Sequence, residues 1–169
     1  PFLQIEDLAV EYYSDGKVIS AVNGVSLRLE KGKTLGLVGE TGAGKTTIAK
    51  SILRILPDVG AKITGGEVKL EGKDLFKLSE VEMRKIRGNN ISMIFQDPMT
   101  ALNPVQTVGD QIAEVVRLHS KGEKHDFVKR AEEMLEMVGI PAERYHEYPH
   151  QFSGGMKQRV VIAIALACN

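Results

Sequence analysis

The sequence predicts an α/β fold organised around a phosphate-binding loop, and three patterns support this prediction. Residues 39–47 contain the pattern Gly-x-x-x-x-Gly-Lys-Ser/Thr, at 39–46, and lie between an apolar run at 35–38 and a helix-like run that begins at Ile48. Alternating apolar and polar residues before this loop predict strands. Apolar residues at helical spacing prevail at 99–150 and predict a helical part of the chain.

The first segment, residues 2–38, is predicted to form antiparallel hairpins. Val25, Leu27 and Leu29 alternate with polar residues, which is the period of a half-buried strand. The Ser-Asp-Gly sequence at 14–16 is a turn signal of the kind that joins neighbouring strands. The apolar run at 35–38 then predicts the strand that leads into the loop.

Four further elements are predicted between the loop and residue 98, each from apolar spacing next to a cap or turn signal. They are a helix that ends near Leu56 before Pro57, a strand around Val68 and Leu70 between Gly65-Gly66 and Gly72, a short helix capped by Ser79 with Glu82, and a buried strand at 91–95. The resulting domain prediction has three segments. Residues 1–98 form a β-subdomain and the first part of the core, 99–150 a helical subdomain, and 151–169 a last helix that returns to the core.

The bulk composition is that of a globular domain. The chain has 169 residues, of which 43% are hydrophobic, which is enough for one sizeable core. Lys+Arg and Asp+Glu number 22 each, so the net charge is zero, and this argues against a broad basic face for nucleic acid. The single cysteine, Cys168, excludes a disulfide within the chain. The longest apolar run, 160–168, is nine residues and too short to span a bilayer.

The loop at 39–47, called the phosphate loop below, has the residue types that hold a chain of phosphates. Glycines let successive N–H groups converge on one anion, and the following helix start adds unpaired N–H groups and a positive dipole end. Lys45 is predicted to reach the outer phosphates, and the Thr46 hydroxyl to ligate Mg²⁺. The predicted phosphate-binding residues are Gly39, Glu40, Thr41, Gly42, Ala43, Gly44, Lys45, Thr46 and Thr47.

A second motif, residues 152–159 and called the signature segment below, reads Phe-Ser-Gly-Gly-Met-Lys-Gln-Arg. Ser153 is a good helix N-cap, and Gly154 and Gly155 allow another group to approach the backbone. Together with the phosphate loop, Gln96 after a buried run and Tyr12 near the N-terminus, this segment resembles the ABC transporter nucleotide-binding subunit. The resemblance implies a P-loop NTPase (RecA-like) core with an N-terminal antiparallel β-subdomain and a helical subdomain.

The amino-acid sequence of residues 95–104 and 148–156 looks like that of the oligopeptide/dipeptide importer subfamily, and nickel importers share much of this sequence. The resemblance therefore implies an ATP-binding subunit that energises import of peptides by ATP hydrolysis. A soluble ABC-type ATPase of DNA repair or translation is an alternative function, and zero net charge and the Pro-rich wording count against it. A nucleotide-binding module without catalysis is a further alternative.

The resemblance also implies residue roles. Lys45 and Gln96 take part in catalysis, and Thr46 and Gln96 ligate Mg²⁺. Tyr12 stacks on the adenine of ATP, with Tyr13 as the neighbouring alternative, because adjacent strand residues point to opposite faces. Ser153, Gly154 and Gly155 contact the γ-phosphate of ATP held by a second ATP-binding subunit, either a second copy or a related chain.

Residues 97–105, called the docking segment below, are expected to receive a helix from membrane-spanning permease subunits, with Pro98 and Pro104 stiffening the segment. The implied location is the cytoplasmic face of the cell membrane, with peripheral attachment and no nucleic-acid partner. His119, His125, His146 and His150 lack metal-ligand spacing and are expected to be structural or surface residues.

The sequence departs from the family at its C-terminal end. The family continues with a strand that ends in an Asp-Glu pair and then with a switch histidine, and neither follows Asn169. The fold is therefore expected to be C-terminally truncated. Because the catalytic Glu has no counterpart, the fragment is expected to bind nucleotide and to hydrolyse it poorly.

Overall fold

The computed structural model describes residues 1–168, and the side chains of all of these except Pro98. Asn169, which ends the predicted third segment, lies outside the described residues. The chain divides into two compact units, Pro1–Met83 and Arg84–Asn169. The three-segment division at residues 98 and 150 stays a prediction.

The first unit is built on a four-stranded antiparallel sheet with the order β2-β1-β3-β4. Its strands are β1 (Leu3–Ser14), β2 (Lys17–Leu29), β3 (Ala61–Leu70) and β4 (Lys73–Asp74). Asp15 and Gly16 join β1 to β2 with positive φ angles of 51° and 72°, as a tight two-residue hairpin turn requires. The predicted hairpin and its turn are therefore found.

The strand β3 runs through Gly65 and Gly66, which the sequence had assigned to its boundary. Gly66 has φ 88°, and a Cβ atom there would lie 2.5 Å from the carbonyl oxygen of Glu6. The pairing of β1 with β3 shifts register between Glu6 and Ala9, so the glycines form a bulge inside the strand. The prediction of a break at these glycines is wrong because the bulge lets the strand continue.

Two predicted strands are not formed. Residues 35–38 and 91–95 belong to no strand in the described part of the chain, and only Ile91 makes an isolated parallel bridge, to Arg87. Most of their apolar side chains are exposed, with Val38 94% and Ile94 48% accessible, whereas Ile91 and Met93 are half-buried. A strand needs a hydrogen-bonded neighbour, and apolar residues alone do not supply one.

The first unit also contains one helix and one 3-10 turn, and a second helix begins in it and continues past Met83. Helix α1 (Lys45–Ile52) follows the phosphate loop and ends before the predicted Leu56, because Arg54 adopts a left-handed conformation with φ 52°. A 3-10 turn covers Leu75–Lys77, and α2 covers Glu80–Ile86. Ser79 and Glu82 form the predicted capping box: the Glu82 side chain accepts from the Ser79 amide at 2.8 Å, and Ser79 Oγ accepts from the Glu82 amide at 3.3 Å.

The second unit is helical, as the apolar spacing predicted. Its helices are α3 (Pro98–Ala101), α4 (Val108–His119), α5 (Lys124–Met137) and α6 (Gly154–Leu166), with 3-10 turns at Ala142–His146 and Pro149–Gln151. One apolar cluster joins α4, α5 and α6, and Val108, Ile112, Leu135 and Val160 at its centre are fully buried. This core fixes the beginning of α6, where the signature segment lies.

Candidate nucleotide-binding site

The phosphate loop bends sharply just before α1. Gly42 and Gly44 have φ angles of 83° and 84°, which side chains strongly disfavour. The Ala43 amide donates to the Glu40 carbonyl at 3.1 Å and closes a turn. Gly44 is the N-cap of α1, and its lack of a side chain leaves the first helical amides without a side-chain cap. Such amides are available to an anion.

Two glycines of the loop are also required by close approach. A Cβ atom on Gly44 would lie 2.4 Å from the carbonyl oxygen of Ala21, which belongs to the β2 backbone and cannot easily move. A Cβ atom on Gly39 would lie 3.1 Å from the Ala43 Cβ. The loop is thus held tightly against its own sheet, and its shape depends on these positions lacking side chains.

The Lys45 side chain folds back over the loop. Its Nζ donates to the carbonyl oxygens of Gly39 and Glu40, the latter at 2.6 Å. The ammonium group therefore lies at the mouth of the turn, on the same loop as the helical amides. The exposed Thr46 adds a hydroxyl at the second helical position. The ammonium group and the backbone amides are donors that fit phosphate, and the oxygen of the Thr46 hydroxyl is a ligand that fits Mg²⁺.

Of the two candidate aromatic residues, Tyr12 is the one beside the loop. Its hydroxyl lies 3.3 Å from Thr47 Oγ1, and its ring is opposite Ile19 in the β1–β2 pairing. Tyr13 instead donates its hydroxyl to Glu11 at 2.6 Å, and this hydrogen bond raises the pKa of Tyr13. The geometry favours Tyr12 for contact with a group bound at the loop, and its role in adenine stacking stays a prediction.

The signature segment begins α6 as the sequence predicted. The Ser153 Oγ accepts from the Met156 amide at 3.3 Å, which is a side-chain N-cap. Cβ atoms built on Gly154 and Gly155 meet nothing within 4 Å in the described structure. Neither glycine is required by packing inside the chain, so both leave open space above the helix start.

The profile of the ABC transporter family matches residues 22–169, a range that includes both the phosphate loop and the signature segment. The chain belongs to the ABC transporter family. Tyr12 lies before the matched range, so the assignment of the family does not depend on it.

Curated relatives carry transport names. The chain is 52% identical over 169 residues to the dipeptide transport ATP-binding protein DppD of Bacillus subtilis, covering 99% of this chain and 50% of that protein. It is 50% identical over 169 residues to the oligopeptide transport ATP-binding protein OppD of the same organism, covering 99% of this chain and 47% of the relative. The chain thus spans about half the length of the curated relatives it matches.

Solved ABC cassettes share the fold. The chain matches the dimeric structure of the ATP-binding cassette MJ0796 bound to ADP and Pi, with a TM-score of 0.86, 29% identity, and coverage of 99% of this chain and 70% of that chain. Together with the family match, this confirms the predicted ABC-type P-loop fold. The segments 35–38 and 91–95, which were predicted to be strands of this fold, form no strand in the described residues.

Gln96 and the start of the docking segment belong to the second unit. Gln96 is exposed and directly precedes Asp97, whose side chain caps α3 by accepting from the Met99 amide at 2.9 Å. The roles of Gln96 in catalysis and Mg²⁺ binding stay predictions.

A buried glutamine fixes the rest of the docking segment. Gln111, only 8% exposed, accepts from the Asn103 amide at 2.9 Å and donates to the carbonyls of Asn103 at 2.9 Å and Gln106 at 3.1 Å. Leu102 is buried beside it, whereas Val105 is 78% exposed. The ABC transporter chain therefore presents an ordered loop with an apolar side chain directed to the surface.

Sequence reasoning missed Arg144, which contacts the signature segment. Its guanidinium donates to Glu147 from Nε at 2.9 Å and from Nη2 at 2.6 Å, and Nη2 also lies 3.2 Å from the Gln151 carbonyl. It covers the Phe152 ring at 4.4 Å and lies 3.6 Å from Met156 Sδ. The hydrogen bond to Glu147 raises the pKa of Arg144. The i,i+3 spacing of Arg144 and Glu147 was the available signal.

The residue next to Arg144 links the same turn to α4. The Tyr145 hydroxyl donates to Asp110 at 2.9 Å, and burial followed by this hydrogen bond raises the pKa of Tyr145. A Cβ atom on Gly109 would lie 2.1 Å from the Tyr145 ring, so the ring packs directly on the helix backbone. The turn that carries Arg144 is therefore firmly held.

Among residues 1–168, no group of three or more His, Cys, Asp or Glu side chains could hold a metal ion. None of the described helices combines the length and apolarity that crossing a membrane requires. Of the four histidines, His150 stacks on Tyr148 with ring centroids 6.0 Å apart.

Proposed function

We propose that the protein containing this chain is the ATP-binding subunit of a peptide importer and that its hydrolysis of ATP energises import. The observation that carries the proposal is the phosphate loop: a helix start capped by Gly44, with the Lys45 ammonium at its mouth. The relatives named for peptide, dipeptide and oligopeptide transport, at 50–52% identity over 99% of the chain, support the peptide as solute.

The chain's own residues divide the work of holding the nucleotide. Lys45 exchanges its loop carbonyls for phosphate oxygens, and the amides at the start of α1 donate to the same group. Thr46 and Gln96 hold Mg²⁺, and Tyr12 covers the adenine. When bound, ATP would supply a phosphoanhydride bond whose hydrolysis by water releases free energy, and Mg²⁺ would neutralise charge on its phosphates.

A second ATP-binding subunit completes the site. Ser153, Gly154 and Gly155 donate to the outer phosphate of the nucleotide that the other subunit holds. The open space above both glycines supports this role, because no described residue lies within 4 Å of a Cβ atom at either position. The dimeric form of the ATP-binding cassette MJ0796 supports such a pairing.

Membrane-spanning permease subunits contact the docking segment, which places the protein at the cytoplasmic face of the membrane. The support is the loop that Gln111 orders and the 78% exposure of Val105. Introducing a charge by Val105→Glu should weaken permease binding by at least tenfold while sparing ATP binding. Val59→Glu is the matched control, because Val59 is also a highly exposed valine, 90% accessible, in the other unit.

The transport proposal is tested with the full-length protein and its membrane subunits in proteoliposomes. We expect uptake of a labelled dipeptide that requires ATP and is abolished by Lys45→Ala. Uptake of Ni²⁺ without uptake of dipeptide would overturn the peptide assignment and keep the ATP-binding role. Unaltered ATP binding by Lys45→Ala would overturn the phosphate-loop assignment itself.

A further inference from the structure

One guanidinium holds the chain on both sides of the signature glycines. On the N-terminal side, Arg144 lies 3.2 Å from the Gln151 carbonyl and covers the Phe152 ring at 4.4 Å. On the C-terminal side, it lies 3.6 Å from Met156 Sδ. The contacts of Arg144 therefore lie on both sides of residues 153–155.

The open glycines need this support. Gly154 and Gly155 have no side chains, and Cβ atoms there would meet nothing within 4 Å in the described structure, so no side-chain packing restrains these two residues. Within this helix start the described cap is the single Ser153 hydrogen bond to the Met156 amide, at 3.3 Å. The Phe152 side chain, 5% exposed, anchors the preceding residue in the core.

The Arg144 side chain is itself held in one orientation. Two of its nitrogens bind the same Glu147 oxygen, at 2.9 and 2.6 Å. The adjacent Tyr145 is buried and bonded to Asp110, so the turn that carries the guanidinium is anchored to α4. The side chains of Arg144 and Glu147 are only 28% and 32% exposed, which limits screening by water.

We propose that Arg144 is a positioning residue that fixes the orientation of the amides of residues 153–155 toward the phosphate of a nucleotide held by a second subunit. This inference rests on the proposed function of the signature segment. Arg144 touches no nucleotide and acts through Gln151, Phe152 and Met156. A lysine cannot replace it, because a single ammonium lacks the planar fork that stacks on Phe152 while binding Glu147 and Gln151 together.

The test compares Arg144→Lys with Arg117→Lys in the full-length protein. Arg117 forms the same kind of i,i+3 pair, with Glu114 at 3.8 Å on α4, and is 59% exposed. It therefore controls for loss of an arginine–glutamate pair in the same unit. The measurements are the thermal unfolding temperature, KM and kcat for ATP, and the amide resonances of Gly154 and Gly155 in protein labelled with isotopic glycine.

For Arg144→Lys we expect the two glycine resonances to shift, kcat to fall at least tenfold, and KM to stay within twofold, because the phosphate loop is unchanged. Arg117→Lys should leave all of these as in the parent. Unmoved glycine resonances or a kcat within twofold of the parent, in a folded Arg144→Lys protein, would overturn the inference.

A second variant guards against a general loss of structure. Glu147→Gln keeps the shape of the acceptor and weakens the hold on Arg144, so a smaller shift of the same resonances and a kcat between the parent and Arg144→Lys are expected. A kcat unchanged by Glu147→Gln would contradict the inference. Failure of the parent protein to bind ATP would instead overturn the proposed function, and the glycine resonances would still report on positioning.

Discussion

The N-termini of α1 and α6 are capped and held in place in different ways. At α1, the N-cap is Gly44, no side chain caps the helix, and Lys45 covers the loop carbonyls. At α6, the N-cap is Ser153, whose side chain caps the helix, and Arg144 holds the residues on either side. The start of α1 is shaped by close contact of Gly44 with the Ala21 backbone. The start of α6 is held by the Arg144 side chain, and open space lies around its two glycines. Substitutions in the phosphate loop should therefore act on stability or on ligand affinity, and substitutions at the start of α6 should act on stability and on the pairing of subunits.

The largest effect is expected for Gly44→Ala. The new Cβ adds left-handed strain of about 1–2 kcal/mol and a clash with the Ala21 backbone that adds about 1–3 kcal/mol. Gly42→Ala is the matched control, because Gly42 has nearly the same φ, 83°, and nothing within 4 Å of the added atom. Urea unfolding should show a clearly larger loss of unfolding free energy for Gly44→Ala. Equal losses would mean that the Ala21 contact is unimportant.

Lys45→Ala should come next, and its effect is on ligand affinity. Removing a charged donor to phosphate costs about 1.5–3 kcal/mol, which is about a 10- to 150-fold rise in Kd for a fluorescent ATP analogue. Lys50→Ala is the control, since Lys50 lies in the last turn of the same helix. The unfolding free energy should change little in either variant. A similar Kd for the two variants would contradict the assignment of the loop.

Ser153→Ala is expected to cost about 1 kcal/mol of unfolding free energy, because the Met156 amide loses its cap. Ser153→Asp, which can also cap, should recover most of that stability. It should not recover ATP-dependent association of subunits, since it places a negative charge opposite phosphate. Chemical denaturation and sedimentation measure the two properties separately. Recovery of association by the aspartate would contradict a phosphate contact at this position.

The smallest of these four expected effects belongs to Gly155→Ala, which should raise the unfolding free energy instead of lowering it. The added methyl group meets nothing within 4 Å, and alanine restricts the unfolded chain, so stability should rise by about 0.5 kcal/mol. Association in the presence of ATP should weaken, because the methyl group occupies the open space. A variant that is both more stable and fully competent in association would show that the space is not used.

The sequence predicted most reliably what is local. The turn and helix start at the phosphate loop and the Ser153 cap depend on a few adjacent residues, and the structure contains them. The run at 35–38 was misassigned because strand formation depends on a neighbour that apolar spacing does not reveal.

Side-chain geometry was beyond the sequence. Arg144 was missed because its contacts reach 3 to 12 residues along the chain and converge only after two turns are packed. Tyr12 and Tyr13 could not be separated by alternation alone, and the 3.3 Å approach of the Tyr12 hydroxyl to Thr47 distinguishes their surroundings.

The first turn of α4 holds two different segments with consecutive side chains. Asp110 receives the hydroxyl of Tyr145, and Gln111 binds the backbone of Asn103 and Gln106. A rotation of this turn that released one segment would also disturb the other. The loop ahead of α4 and the arginine-bearing turn behind α5 consequently share an attachment to this turn, so a shift of one segment is transmitted to the other.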